Sequence, residues 1–270
     1  FTRHLELRGI ELADDELRLV IEGQSTGLGI APARDFMDKA DKTKKLLLRT
    51  LERKLGRPFR KEGRPPAEVA RQMELYLQAP RAASFAVTFR IGSPKRPPLP
   101  LTGNGLCPAP EVIDEVLSCL DLFAREEDKE LRQRVTSAEY YRNFYELARA
   151  LAPDGKRTRL VALSSVRAAG RTDVRLTPEA RRPPLRVGAV SDGGPVRLAG
   201  TLLFADATHA GRPRIKLVDE NGSEHAVVVP EEMVTDIVRP YFEDAVTITA
   251  RMRGNDMVLE DIDRAPDEEA

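Results

Sequence analysis

The final part of the chain alternates short apolar runs with turn residues in a regular order. The two hairpin turns are Asp-Glu-Asn-Gly at 219–222 and Arg-Gly-Asn-Asp at 253–256. A helical pattern at 230–242 has a proline at its start and two acidic residues in its first turn, where the helix dipole favours them. The strand-like runs lie at 196–204, 214–218, 224–229, 245–252 and 257–262. The resulting order β-β-β-α-β-β constrains the fold of this chain more than any other feature.

That order resembles the OB-fold, a small five-stranded barrel with its helix between the third and fourth strands. An SH3-like barrel is nearly as compatible with it. The resemblance covers roughly residues 196–263, rests on element order alone, and implies an oligonucleotide- or oligosaccharide-binding face on the second and third strands. Those two predicted strands offer only Arg214, Lys216 and His225 and no aromatic side chain, so contact with protein is the more plausible role. Residues 1–189 resemble no known family.

The earlier part of the chain mixes strands and helices. Strand patterns lie at 4–8, 16–22 and 84–91, and a hairpin is indicated by the runs at 159–166 and 173–176. Apolar residues at helical spacing predict helices at 33–55, 67–77, 111–125 and 138–151. Prolines and glycines between 183 and 195 mark a boundary. We therefore predict an α+β protein, with a mixed domain at 1–189 followed by an OB-like five-stranded barrel with one helix at 190–270.

The formal net charge is zero, but charge is unevenly divided. Residues 190–270 hold 8 Lys and Arg against 17 Asp and Glu, whereas residues 1–189 hold 35 against 26. Such asymmetry points to a partner surface on one part, or to mutual docking of the two parts.

Two basic clusters make nucleic-acid binding the first alternative function. Residues 34–71 contain 13 Lys and Arg against 6 acids, and residues 155–186 contain 9 against 2. If the clusters adjoined in space they would form a surface for phosphates, although an Arg-rich helix face is also ordinary in a solvated helix. Few aromatics are interleaved for base stacking. The predicted contact residues are Lys42, Lys44, Lys45, Arg49, Arg53, Lys54, Arg57, Arg60, Lys61, Lys156, Arg157 and Arg159.

A Gly-x-Ser-x-Gly motif places Ser25 directly after a predicted strand, as in a nucleophile elbow. A serine hydrolase acting through Ser25 is therefore the second alternative. No helix follows the motif at once, and His209 and His225 both fall in the acidic segment. A Gly/Ser/Thr loop explains the motif equally well.

The sequence offers few residues for a metal site. Three scattered histidines and two cysteines offer no zinc-ligand spacing, and the carboxylates at 260, 261 and 263 match a solvated acidic tail. We expect no metal and no cofactor. With only Cys107 and Cys119, and no apolar run approaching the roughly 20 residues that a bilayer needs, we expect a reduced, cytoplasmic protein outside the membrane.

The function predicted from these observations is non-catalytic. We expect a binding or regulatory protein that acts through contacts with a protein partner or through self-association. An Arg-, Pro- and Leu-rich, prokaryote-like composition favours an accessory component of a bacterial operon, such as a defence or toxin–antitoxin system.

Overall fold

The structure, a computed structural model, divides the chain into two compact units. The first comprises residues 1–60 and 64–182, and the second comprises residues 61–63 and 183–270. The predicted boundary at 189/190 and the predicted strand at 4–8 lie outside the described residues. Within the described residues, no helix combines the length and the apolar character needed to cross a membrane. The described residues are 12–23, 32–61, 63–78, 86–92, 107–167, 170–183, 195–206, 213–253 and 256–265.

The first unit contains an antiparallel sheet with the strand order β2-β3-β1-β4-β5. The central strand is buried from Glu16 to Ile21, and Leu17, Leu19 and Ile21 lie on one of its two faces. The strands are β1 (Glu16–Gly23), β2 (Leu75–Leu77), β3 (Ala86–Ile91), β4 (Thr158–Arg167) and β5 (Gly170–Leu176).

Five α-helices lie among the described residues of the first unit, and their apolar stripes contribute to its core. Leu47, Leu120 and Leu147 are fully buried; α3 packs on β4 and β5, and α1 lies against α3 and α5. Ser137 caps α5 by accepting a hydrogen bond from the backbone N–H of Tyr140. The helices are α1 (Ala33–Lys54), α2 (Ala67–Gln72), α3 (Ala109–Ala124), α4 (Asp128–Arg134) and α5 (Ala138–Leu151).

The predicted helix at 67–77 is wrong over its last residues. Val69 and Met73 are buried as predicted, but the helix ends at Gln72 and Leu75–Leu77 form β2. Leu75 pairs with Ile91 and Leu77 with Phe89, and Leu77 is 66% exposed. Pairing with the sheet edge overrides the helical spacing. The short helix α4 was not predicted at all.

The second unit contains a closed five-stranded barrel in the order β10-β8-β7-β6-β9. Its pairs are antiparallel except for a parallel contact between Val228 and Val258. The α+β class and a closed five-stranded barrel are thereby confirmed, and the barrel is consistent with a small OB- or SH3-like one. The strands are β6 (Pro195–Asp206), β7 (Arg214–Val218), β8 (Glu224–Val228), β9 (Ala245–Arg253) and β10 (Asp256–Arg264).

The helical connection between β8 and β9 is less regular than predicted. Instead of one helix it comprises a short α6 (Glu231–Met233), a π-helical turn at Val234–Val238 and a 3₁₀ turn at Arg239–Tyr241. Pro240 provides the physical reason, because its ring lacks an N–H and clashes with the carbonyl four residues earlier. A regular α-helix therefore cannot run through this segment.

The close approach of Gly200 to the turn after β7 yields the first prediction. A Cβ on Gly200 would lie 2.2 Å from the Val218 carbonyl oxygen, so we expect Gly200→Ala to destabilise the barrel by about 1–3 kcal/mol through overpacking. Urea unfolding followed by circular dichroism measures the change, with the exposed neighbour Ala199→Ser as the control. An unchanged midpoint for Gly200→Ala would contradict the register of β6 and β7.

Candidate functional site

The first basic cluster is neutralised by carboxylates within the fold. Each of its nine predicted contact residues has a side-chain nitrogen 3.9 Å or less from an Asp or Glu oxygen. Lys61 belongs to the second unit, in which its partner also lies. The pairs are Lys42–Asp38, Lys44–Glu74, Lys45–Asp41, Arg49–Glu52, Arg53–Glu115, Lys54–Glu111, Arg57–Glu68, Arg60–Glu52 and Lys61–Glu231.

At the centre of this cluster, Glu52 accepts hydrogen bonds from two arginines. Its oxygens lie 3.0 Å from Arg49 Nη1 and 3.1 Å from Arg60 Nε, and its side chain is only 2% exposed. The Arg49 guanidinium also lies 4.6 Å from the centre of the Phe59 ring, a distance suited to a cation–π contact. Arg49 and Arg60 therefore hold the segment after α1 against that helix.

Tyr140 on α5 fixes the same segment from the other side. Its hydroxyl donates to the Arg57 carbonyl oxygen at 3.1 Å, and its ring meets Phe59 edge to face with centroids 5.2 Å apart. Burial, followed by the charge of Glu52, raises the pKa of Tyr140 to about 12. The phenol stays protonated and acts as a hydrogen-bond donor.

Glu115 on α3 joins Arg53 on α1 to Arg134 at the end of α4. Its oxygens lie 2.6 Å from Arg53 Nη2 and 2.9 Å from Arg134 Nε. Burial raises the pKa of this carboxyl, but the hydrogen bonds from Arg134 and Arg53 outweigh burial and lower it overall. Arg53 thus connects three helices.

Both cysteines are buried free thiols. Burial, with Glu115 next in importance, raises the pKa of Cys119 to about 12, and burial also raises the pKa of Cys107. Since the thiolate is the reactive form, neither residue is suited to nucleophilic catalysis.

The second basic cluster lies on the loop between α5 and β4 and on β4 itself. Arg157 Nε is 3.8 Å from Asp154, whereas Lys156 and Arg159 are exposed and make no ion pair with any described residue. The Asp154 carboxylate accepts from the backbone N–H groups of Thr158, Arg157 and Lys156. Burial raises the pKa of Asp154, but these bonds lower it overall.

Lys39 links the first basic cluster to the neighbourhood of the second. Its Nζ on α1 donates to the carbonyl oxygens of Ala150 and Ala152, just before the loop of the second cluster. Six of the nine predicted contact residues of the first cluster lie further along α1, between Lys42 and Lys54.

Ser25 and His209 lie outside the described residues. The described His225 is a structural partner in the β7–β8 turn: its Nε2 lies 3.0 Å from Asp219 Oδ2, and Asp219 also accepts from two backbone N–H groups. The hydrogen bond from His225 is the main cause of the lowered pKa of Asp219. No group of three or more His, Cys, Asp or Glu side chains among the described residues could hold a metal ion.

The barrel exposes apolar and acidic side chains that the sequence patterns do not single out. Leu203 and Phe242 are 47% and 43% exposed, and the exposed carboxylates Glu220 and Glu243 make no ion pair within the described part of the chain. The signal that the sequence offers is the dipeptide Phe242-Glu243 at the end of the predicted helix. There an exposed apolar side chain directly precedes an unpaired carboxylate.

No protein-family model, no curated protein and no solved structure matches this chain.

Replacing Glu115 tests whether Arg53 and Arg134 are structural. We expect Glu115→Gln to lower the free energy of unfolding by about 2 kcal/mol at pH 7, because the amide is uncharged and keeps only one acceptor oxygen for the two arginines. The lowered folded-state pKa makes this stabilisation complete above the ordinary Glu value of about 4.3, and it is lost as pH falls through the folded-state value. Urea unfolding at pH 7 and in mild acid measures both effects.

The control is Asp121→Asn on the same helix, which removes a solvent-exposed ion pair to Arg125. Its effect should stay below about 0.5 kcal/mol. An equally small effect for Glu115→Gln would show that Arg53 and Arg134 do not depend on Glu115.

Proposed function

We propose that this protein is a non-catalytic binding or regulatory protein that acts through protein contacts made by its acidic barrel. The observation that carries this proposal is the contrast between paired cations and unpaired carboxylates. The nine predicted contact residues of the first basic cluster have carboxylate partners, whereas Glu220 and Glu243 of the barrel are exposed and make no ion pair with the described residues.

We take the barrel to be of the OB type rather than SH3-like. Its helical connection joins the third strand to the fourth, as the OB-fold resemblance implies. The face formed by the second and third strands is poorly suited to nucleic acid here, because Arg214 pairs with Asp256 and Lys216 pairs with Glu224. The cations that would meet phosphates on this face are thus already partnered.

Electrostatics supports a basic protein partner. Residues 190–270 carry nine more acidic than basic residues, a charge that repels phosphates and attracts a basic surface. Complementary charge of this kind raises association rates and excludes acidic competitors. The negative charge therefore speeds association with a basic partner and selects it over an acidic one.

A second candidate function, nucleic-acid binding, is favoured by one observation. Lys156 and Arg159 are exposed, and neither forms an ion pair with the residues that the structure describes. Two cations give few phosphate contacts, and each contact adds about one unit to the slope of log affinity against log salt concentration. Any binding through this pair would be weak and only modestly salt-dependent.

Fluorescence anisotropy of labelled single- and double-stranded DNA and RNA separates the two candidates. We expect flat titrations with the full chain at about 50 mM salt, because few cations are available. Tight binding that collapses at about 200 mM salt, and that is lost in Lys156→Ala/Arg159→Ala, would favour the nucleic-acid function. The matched control Lys44→Ala/Lys45→Ala removes two lysines that already have carboxylate partners.

A peptide array tests the protein-binding proposal directly. The full chain is applied to short peptides that range from basic to acidic, and we expect the bound peptides to be rich in Lys and Arg and to be released by salt. Retention of acidic peptides, or of none, would contradict the proposal.

A further inference from the structure

Two independent distortions of the barrel backbone meet at one place. The pairing of β6 with β7 shifts register between Leu202 and Phe204, which leaves Leu203 as the extra residue of a β-bulge. Glu243, directly after the 3₁₀ turn, has a positive φ of 64°, a conformation that is unfavourable for a residue with a Cβ. The N–H of Glu243 donates to the Leu202 carbonyl oxygen at 2.8 Å, and the N–H of Leu202 donates to the Asp244 carbonyl oxygen at 3.1 Å.

A large apolar side chain is exposed at each of these two distortions. Leu202 is fully buried, while its neighbour Leu203 is 47% exposed. Tyr241 is likewise buried, and Phe242 is 43% exposed. We call Leu203, Phe242 and Glu243 the Phe242 patch. Bulges, strained backbone and π-helical turns are each enriched at functional sites, and the π turn at Val234–Val238 belongs to the same connection.

The charges around the Phe242 patch select among partners. Glu243 is exposed and makes no ion pair with the described residues, so its carboxylate can accept from a partner's Lys or Arg. Arg239, three residues before Phe242, is also exposed, and its cation disfavours a partner that is basic at every position. The matching segment therefore has apolar side chains at one end and basic side chains at the other.

We infer that the Phe242 patch is the docking site through which the barrel binds a protein segment with large apolar side chains followed by Lys or Arg. This inference rests on the proposed protein-binding function and adds the position of the site and the chemistry of its partner. Phe242 and Leu203 receive the apolar side chains, as aromatic anchors do in interfaces. Glu243 receives the basic residue and sets the orientation of the segment.

Three short fluorescein-labelled peptides probe the site in the full chain by anisotropy. The first has two leucines followed by two lysines, the second has serines in place of the leucines, and the third has glutamates in place of the lysines. We expect the Leu/Lys peptide to bind at least tenfold more tightly than the Ser/Lys peptide, and the Leu/Glu peptide to bind weakest of the three.

Variants locate the binding. Phe242→Ser should lower the affinity for the Leu/Lys peptide about tenfold, which is the effect of losing one interface hot spot. The weak affinity for the Ser/Lys peptide should stay unchanged. Glu243→Gln should reduce the salt dependence of Leu/Lys binding. The matched controls are Val196→Ser, which removes another exposed apolar side chain of the barrel, and Glu224→Gln, which removes an exposed carboxylate that pairs with Lys216. Neither control should change affinity. All four replaced side chains are on the surface, and thermal unfolding verifies that each variant is folded.

The possible results distinguish failure of the docking site from failure of the protein-binding function. Leu/Lys binding that survives Phe242→Ser, or falls equally in Val196→Ser, overturns the docking site and leaves the protein-binding function intact. Equal binding of the Leu/Lys and Ser/Lys peptides also overturns the site, because apolar contact would then contribute nothing. Failure of both lysine peptides to bind, together with an array without basic binders, overturns site and function together.

Discussion

The first unit depends on the packing and the ion pairs of the long helix α1. Leu47 and Leu51 are fully buried in the core, and some basic residues of the helix reach carboxylates on other segments. Arg53 pairs with Glu115 of α3, and Lys44 pairs with Glu74 just before β2. Because those partners lie far away in sequence, the ion pairs tie distant segments to one helix.

These ion pairs explain why the number of Lys and Arg residues in a segment does not give the charge that the segment presents at the surface. A run of Lys and Arg indicates a basic surface only when the fold brings no acids to it. Here Glu52, which lies within the run, forms ion pairs with two arginines and is itself buried. The buried position of Glu52 makes its ion pairs structural, since removing one member of a buried pair leaves an uncompensated charge. Arg49 and Arg60 are thereby engaged within the fold.

Regular elements with a strong local pattern could be predicted from the sequence, and irregular ones could not. The alternation of Leu17, Leu19 and Ile21 is a direct consequence of strand geometry, and the barrel order follows from its hairpin turns. The strand at Leu75–Leu77 is different, because Val69, Met73 and Leu77 share a helical spacing and only pairing with Phe89 and Ile91 makes this segment a strand.

The candidate site escapes prediction for the same reason. Neither the bulge at Leu203 nor the positive φ of Glu243 has a sequence signature as clear as an Asn-Gly turn. Non-local contacts likewise decide which carboxylates remain unpaired. The seventeen acidic residues after position 189 attract cations without distinguishing among them. Specificity requires a place where an unpaired carboxylate adjoins exposed apolar side chains, and in the described barrel this combination occurs at Glu243, beside Phe242.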